Sequence, residues 1–178
     1  KADIQFLLGN DFHLTPHNLT KWQLSPEIAA KCRRCGKHGT FTPLPGVTVE
    51  TFPSTDEGVA WMVTVNGQSI FHAGDLNWWH WAEEDLAWNR NMEANFKRYT
   101  EPLRGRRVDL AMLPLDSRLK MDGYLGPNYF LNLMEVRRFL PMHQWEDFAF
   151  TDEFLSAYPQ FAPITVKIHR DGEFLGEL

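Results

Sequence analysis

The pair Asn66-Gly67 constrains this chain more than any other feature, because it stands between two strand-like runs. Upstream lies Val59-Ala60-Trp61-Met62-Val63-Thr64-Val65, and downstream Gln68 to Ala73. A type I′ turn needs positive φ at both central residues, which Asn and Gly tolerate, so the runs are expected to pair as an antiparallel hairpin. The first run is continuous enough to predict burial on both faces. Alternation puts Ile70, His72 and Gly74 on one face of the returning strand and Phe71, Ala73 and Asp75 on the other. The hairpin therefore delivers Asp75 at the C-terminal end of a strand, in a Gly-Asp turn with Trp78 and Trp79 behind it. Open α/β proteins gather their chemistry at such strand ends, although Asp after Gly is also an ordinary turn former or helix cap.

The rest of the chain reads around that hairpin. Asp3 to Leu8 alternates and predicts a strand. Residues 9–46, with their prolines and polar clusters, are expected to form a loop-rich insertion carrying only a short helix near Pro26 to Lys31. Val47 to Phe52 predicts a second strand. Apolar residues at Trp88, Met92, Phe96, Tyr99 and Leu103 predict an amphipathic helix over Glu83 to Leu103. Val108 to Leu113 predicts a strand, followed by a loop to Asn128 and a helix over Tyr129 to Phe139. Thr151 is placed to cap a short helix through Tyr158. Ile164 to Ile168 predicts a last strand before an Asp171-Gly172 turn. Helices and strands alternate in the second half, so the class is α/β or layered α+β.

Composition sets outer limits. The 178 residues are the size of one domain, and 43% hydrophobic with 13% aromatic content suffices for a sizeable core. The net charge of −5 comes with no basic block, so no nucleic-acid partner is expected. No apolar run approaches the roughly 20 residues of a membrane span, and no signal pattern opens the chain, so a cytoplasmic protein with no membrane partner is expected. The chain opens at Lys1 without Met and moves at once into a strand-like run, which suggests an N-terminally incomplete domain.

Three sites stand at strand ends: the loop Ser54-Thr55-Asp56-Glu57-Gly58, then Asp75, then His143. Loops at one edge of a sheet can build a single pocket from such positions, and carboxylate with imidazole suits Zn²⁺, Mn²⁺ or Fe²⁺. Trp78 and Trp79 could wall that pocket and stack on a substrate, or pack in the core. The runs Ile70-Phe71-His72-Ala73-Gly74-Asp75, Val108-Asp109-Leu110-Ala111-Met112-Leu113-Pro114 and Pro141-Met142-His143, in that order, resemble the C-terminal part of the metallo-β-lactamase fold, in its cytoplasmic metallo-hydrolase branch. The resemblance implies an αββα sandwich. It also implies that Asp75 bridges two metal ions and that His143 binds one of them.

The departures from that family are specific. Its main ligand motif, His-x-His-x-Asp-His, occurs nowhere in the chain, and the position of a further family histidine is occupied by Ser54-Thr55-Asp56. Thr55 or Asp56 could substitute there, or one ion could be missing. What the resemblance implies is a hydrolase acting on a small-molecule ester, amide or phosphoester with one or two ions, zinc or else manganese or iron, incomplete as the chain stands. The rival from another class is a degenerate binding protein of the same fold without turnover. A domain lacking part of its sheet would expose an apolar face, so a homo-oligomer or a complementary N-terminal fragment is an expected partner.

Two clusters stand apart. Cys32-x-x-Cys35-x-x-His38 offers half a zinc site with one extra donor, a redox pair whose thiols Arg33, Arg34 and Lys37 would acidify, or a solvated loop. Asp11, His13 and His17 read as loop residues, since Pro16 prevents helical presentation of the two histidines.

Overall fold

The structure is a computed structural model and describes residues 6–9, 23 and 25–176. Asp3, Asp11, His13 and His17 lie outside the described residues. A six-stranded sheet forms the centre, and its elements follow in chain order. Strand β1 (Phe6–Leu8) pairs in parallel with β2 (Cys32–Arg34), and α1 (Pro26–Ala29) precedes β2. Strands β3 (Thr40–Leu44), β4 (Val47–Pro53), β5 (Val59–Val65) and β6 (Gln68–His72) then run antiparallel, each to the next. The stretch expected to be loop-rich thus contributes an edge strand, β3. Its register shifts between Phe41 and Leu44, around Pro43, which has no N–H to give the ladder.

From β6 onward the geometry changes to parallel. Helix α2 (Leu86–Thr100) carries the chain from β6 to β8 (Leu110–Pro114), and α3 (Leu125–Leu133) carries it from β8 to β10 (Phe139–Met142). Between them lie β7 (Arg107–Val108) and β9 (Glu135–Val136), a small parallel pair of their own. Strands β6, β8 and β10 lie side by side and point the same way, as crossover connections dictate. Asp109 fixes the first pair: its N–H donates to the Ser69 carbonyl at 3.1 Å while its carboxylate accepts from the Ser69 N–H at 2.9 Å. A last helix, α4 (Phe150–Ala157), closes the same side of the sheet.

The hairpin forms as the sequence predicts, with φ of +49° at Asn66 and +83° at Gly67. Phe71 and Ala73 are buried, Ile70 and His72 are exposed, and the expected division of faces holds. On the buried face Phe71 stacks on Phe130 at 4.8 Å, and Phe96, Phe139 and Phe154 join the same cluster. The opposite face corrects an expectation. Strand β5 is not buried on both sides: Trp61 and Val63 are half-buried and Val65 is exposed, beside exposed Ile70. The helices α2, α3 and α4 supply core residues to one face only, and among the described residues the other stays open.

Other elements shift for identifiable reasons. Asp85 caps α2 by accepting from the Trp88 N–H, and the final turn expected of that helix tightens into a 3-10 turn at Glu101–Leu103, entered through Pro102. The predicted helix over Tyr129 to Phe139 begins earlier and ends sooner, because residues from Glu135 onward are needed for β9 and β10. Its first turn contains Gly126, where a Cβ would lie 1.9 Å from Asn77 Oδ1, so only glycine lets the helix approach that turn. The loop expected before Asn128 is largely a 3-10 segment, Ser117–Tyr124. Thr151 is not the cap of α4: it lies inside the helix, and its hydroxyl accepts from Gln144 Nε2 at 2.6 Å. The predicted strand over Ile164 to Ile168 reduces to one bridge, Thr165 to Phe139, after a 3-10 turn at Pro159–Ile164 that includes Pro163.

The two faces of β6 make opposite demands on side-chain size. Phe71→Ala is expected to destabilise the fold by about 3–5 kcal/mol, as for other buried aromatic truncations. Ile70→Thr on the open face should cost under about 1 kcal/mol. Urea denaturation of both variants checks this, and equal losses would show the faces wrongly assigned.

Candidate metal centre

Parallel strands β6, β8 and β10 bring their C-terminal ends to one edge of the sheet. Asp75 follows β6, Asp116 follows β8 and His143 follows β10. The backbone aligns them: Met142 pairs with Pro114, and the Leu115 N–H donates to the Met142 carbonyl at 2.8 Å. His143 Nε2 lies 3.3 Å from Asp75 Oδ1, and His143 Nδ1 lies 3.2 Å from Asp116 Oδ2. The imidazole is therefore held between two carboxylates. One is partly exposed, with 37% of the Asp75 side chain accessible, and the other is fully buried at 0%.

Asp116 is the residue that sequence reasoning missed. Its signal was the same as that of Asp75, an acidic residue just past a predicted strand, in Pro114-Leu115-Asp116. The buried carboxylate accepts from the Arg118 N–H at 3.0 Å, from Arg118 Nε at 2.9 Å and Nη2 at 2.6 Å, and from Trp145 Nε1 at 3.3 Å. Burial alone would raise its pKa, but these donors and His143 outweigh it and hold the carboxyl far below the usual carboxylate range. For His143 the hydrogen bond to Asp116 is the main cause of a raised pKa. Burial opposes it, and the charges of Asp116 and Asp75 add to it.

Aromatic rings wall the site. Trp79 is buried, donates from Nε1 to the Asp75 carbonyl at 2.9 Å and meets His143 edge-on at 5.6 Å. Trp145 meets His143 from another side at 5.7 Å, and the Arg118 guanidinium lies 4.5 Å over its ring and 5.4 Å over that of Trp81. Trp78 goes elsewhere: it packs on Phe96 and Tyr129, with the Lys97 ammonium over its ring. His143, Trp145 and Glu146 all have positive φ, at +65°, +49° and +65°, so the loop after β10 stores backbone strain of order 1 kcal/mol or more per residue.

The other sequence candidates divide. The Thr55 hydroxyl donates to the Asn77 carbonyl at 2.7 Å and accepts from the Asn77 N–H at 3.0 Å, so it locks the turn that carries Asp75. Asp56 is exposed, and its N–H donates to Ser54 Oγ at 3.2 Å. Cys32 Sγ donates to the Ile28 carbonyl, while Cys35 is buried and burial pushes its thiol pKa up against the opposite pull of Arg33. The acidified thiol anticipated from the basic neighbours is thus corrected for Cys35. Among the described residues no group of three or more His, Cys, Asp or Glu is arranged to hold a metal ion.

The donor set nonetheless fits half of a coordination shell. A carboxylate oxygen and an imidazole nitrogen 3.3 Å apart can share a proton when the ring is charged, or a cation when it is neutral. Oxygen with nitrogen donors suits Zn²⁺, Mn²⁺ and Fe²⁺. Asp75 and His143 would hold such an ion, and Asp116 would take the outer carboxylate position that ligand histidines commonly have.

The fold is metallo-β-lactamase-like, as the likeness to two solved structures over most of the chain shows. A protein from Parabacteroides distasonis assigned as a metal-dependent hydrolase superposes with a TM-score of 0.58 over 93% of this chain and 64% of its own, at 14% identity. CmlA, a diiron β-hydroxylase from Streptomyces venezuelae, gives a TM-score of 0.58 over 93% of this chain and 38% of its own, at 8% identity. A looser match, with a TM-score of 0.39 and 14% identity over 71% of this chain and 60% of its own, is a protein from Thermotoga maritima assigned as a zinc-dependent hydrolase of the metallo-β-lactamase superfamily. The chain thus spans less than two thirds of the length of these proteins. No protein-family model matches the sequence, and no curated protein does. Among the described residues no helix is long and apolar enough to cross a membrane.

Two outcomes follow from the hydrogen bonds. Thr55→Val is expected to cost about 1–3 kcal/mol, since it leaves buried backbone groups of Asn77 unpaired, and thermal denaturation checks it. With chelator present, the raised pKa of His143 contributes stability that is complete below the ordinary histidine value near 6.5 and is lost as pH rises through the folded value. The stability difference between wild type and His143→Ala should therefore shrink with rising pH across that window, and a difference that grows would contradict the assignment.

Proposed function

We propose that this chain carries the C-terminal ligands of a metal-dependent hydrolase acting on a small-molecule ester, amide or phosphoester. The observation that carries the reading is the convergence of Asp75 and His143 at the ends of two parallel strands, 3.3 Å apart. Zinc is the ion of choice, with manganese or iron as alternatives, and one or two ions would bind in a site completed by further donors. Such an ion, when bound, supplies Lewis acidity and lowers the pKa of water towards neutrality. Asp75 contributes negative charge, His143 a neutral nitrogen, and Trp79 and Trp145 each pack edge-on against the imidazole.

Partners follow from the same reading. The open sheet face with Val63, Val65 and Ile70 fits a complementary N-terminal segment of such a fold, with self-association as the competing outcome. Neither nucleic acid nor membrane is part of the proposal, and a reducing cytoplasm suits Cys32 and Cys35, which are both free thiols.

A second reading, binding without turnover, is favoured by one observation. The Thr55 hydroxyl is committed to the turn backbone and Asp56 is exposed, which supports a site with fewer ligands than the family pattern. Zinc titration against a chromophoric chelator tests the site in the wild type, Asp75→Ala and His143→Ala. Each variant is expected to bind at least about 10-fold more weakly, and unchanged binding in both would mean that the wrong residues are named. Hydrolysis of model esters and phosphodiesters by the zinc-loaded protein then separates the enzyme from the binding protein.

A further inference from the structure

We infer that Asp116 is a positioning residue: it selects the tautomer of His143 in which Nδ1 carries the proton and the Nε2 lone pair faces Asp75. This rests on the proposed metal centre for its purpose but not for its physical basis. An ionised carboxylate can only accept hydrogen bonds, so the nitrogen beside Asp116 Oδ2, at 3.2 Å, must be the donor. A neutral imidazole has one N–H to place, and two carboxylates compete for it. Asp75 is partly exposed and can take a water molecule in its place, whereas Asp116, with no accessible surface, cannot replace a lost donor. The proton therefore stays on Nδ1.

The surrounding contacts hold the selector rigid. Arg118 grips both carboxylate oxygens from its backbone N–H and its guanidinium, and the guanidinium lies over the rings of Trp81 and Trp145. Trp145 then closes the circle by donating to Asp116 Oδ2 while packing against His143. The carboxylate thus has a fixed position before any ligand arrives. An imidazole free to rotate or to protonate at Nε2 would have to give up that arrangement to bind a cation.

The test needs no catalytic turnover. With His143 labelled by ¹⁵N and the metal-free protein held at a pH where the ring is neutral, the ring nitrogen shifts report the tautomer directly. The wild type is expected to be predominantly Nδ1–H, and Asp116→Asn, which halves the acceptor oxygens at unchanged size, should raise the Nε2–H population and weaken zinc binding roughly 10–100-fold. Circular dichroism of the variant controls for folding. Predominant Nε2–H in the wild type overturns the inference by itself, even where Asp116→Asn does not fold. So does a folded variant with unchanged tautomer and zinc affinity. If the wild type binds no zinc yet shows Nδ1–H that shifts in the variant, the positioning role stands and the metal-centre reading fails.

Discussion

The parallel alignment of β6, β8 and β10 is the constraint on which the site depends. Each crossover through a helix returns the chain to the same end of the sheet, so residues 41 and 27 positions apart finish as neighbours in space. Slippage by one residue in either parallel pair would turn the core residue of the slipped strand, Phe71 or Phe139, away from the helices while Ala111 stayed in place. The same core that stabilises the fold therefore sets the register of Asp75, Asp116 and His143. Asp109, bonded to Ser69 at the opposite end of the β6–β8 pair, secures that register from below.

At the site itself the decisive contrast is between two carboxylates in different surroundings. Asp116 is buried and surrounded by donors, so its charge is fixed and serves to orient. Asp75 is partly open, held by its backbone through Thr55 and Trp79 while its carboxylate remains available. An imidazole placed between a fixed acceptor and an available one has a defined direction. The positive φ values of His143, Trp145 and Glu146 are the backbone cost of that placement, offset by Gln144 on Thr151 and Trp145 on Asp116.

The open face of the sheet follows from the same architecture. Every helix in the second half packs on the face of Phe71, so the residues of β5 and β6 that alternate with it have no described layer above them. A continuous apolar run such as Val59–Val65 reads as doubly buried because side-chain chemistry is its only signal, and chemistry cannot say which neighbours are present.

Local determinants were legible. The Asn66-Gly67 turn, the alternation of β6, the strand ends at Asp75 and His143, and the amphipathic face of α2 all depend on interactions within a few residues. Asp116 and the start of α3 were not legible. The first looks like any acidic residue beside a serine and an arginine until β10 lies next to it, and the second depends on Gly126 meeting Asn77 across the fold. The sequence by itself determined that an acidic residue would stand at the end of the hairpin's second strand, because φ preferences and period-two alternation act along the chain. Only the tertiary structure decided that His143 would stand between two carboxylates, one buried and one open, because burial and long-range pairing belong to the packed sheet and not to any segment of it.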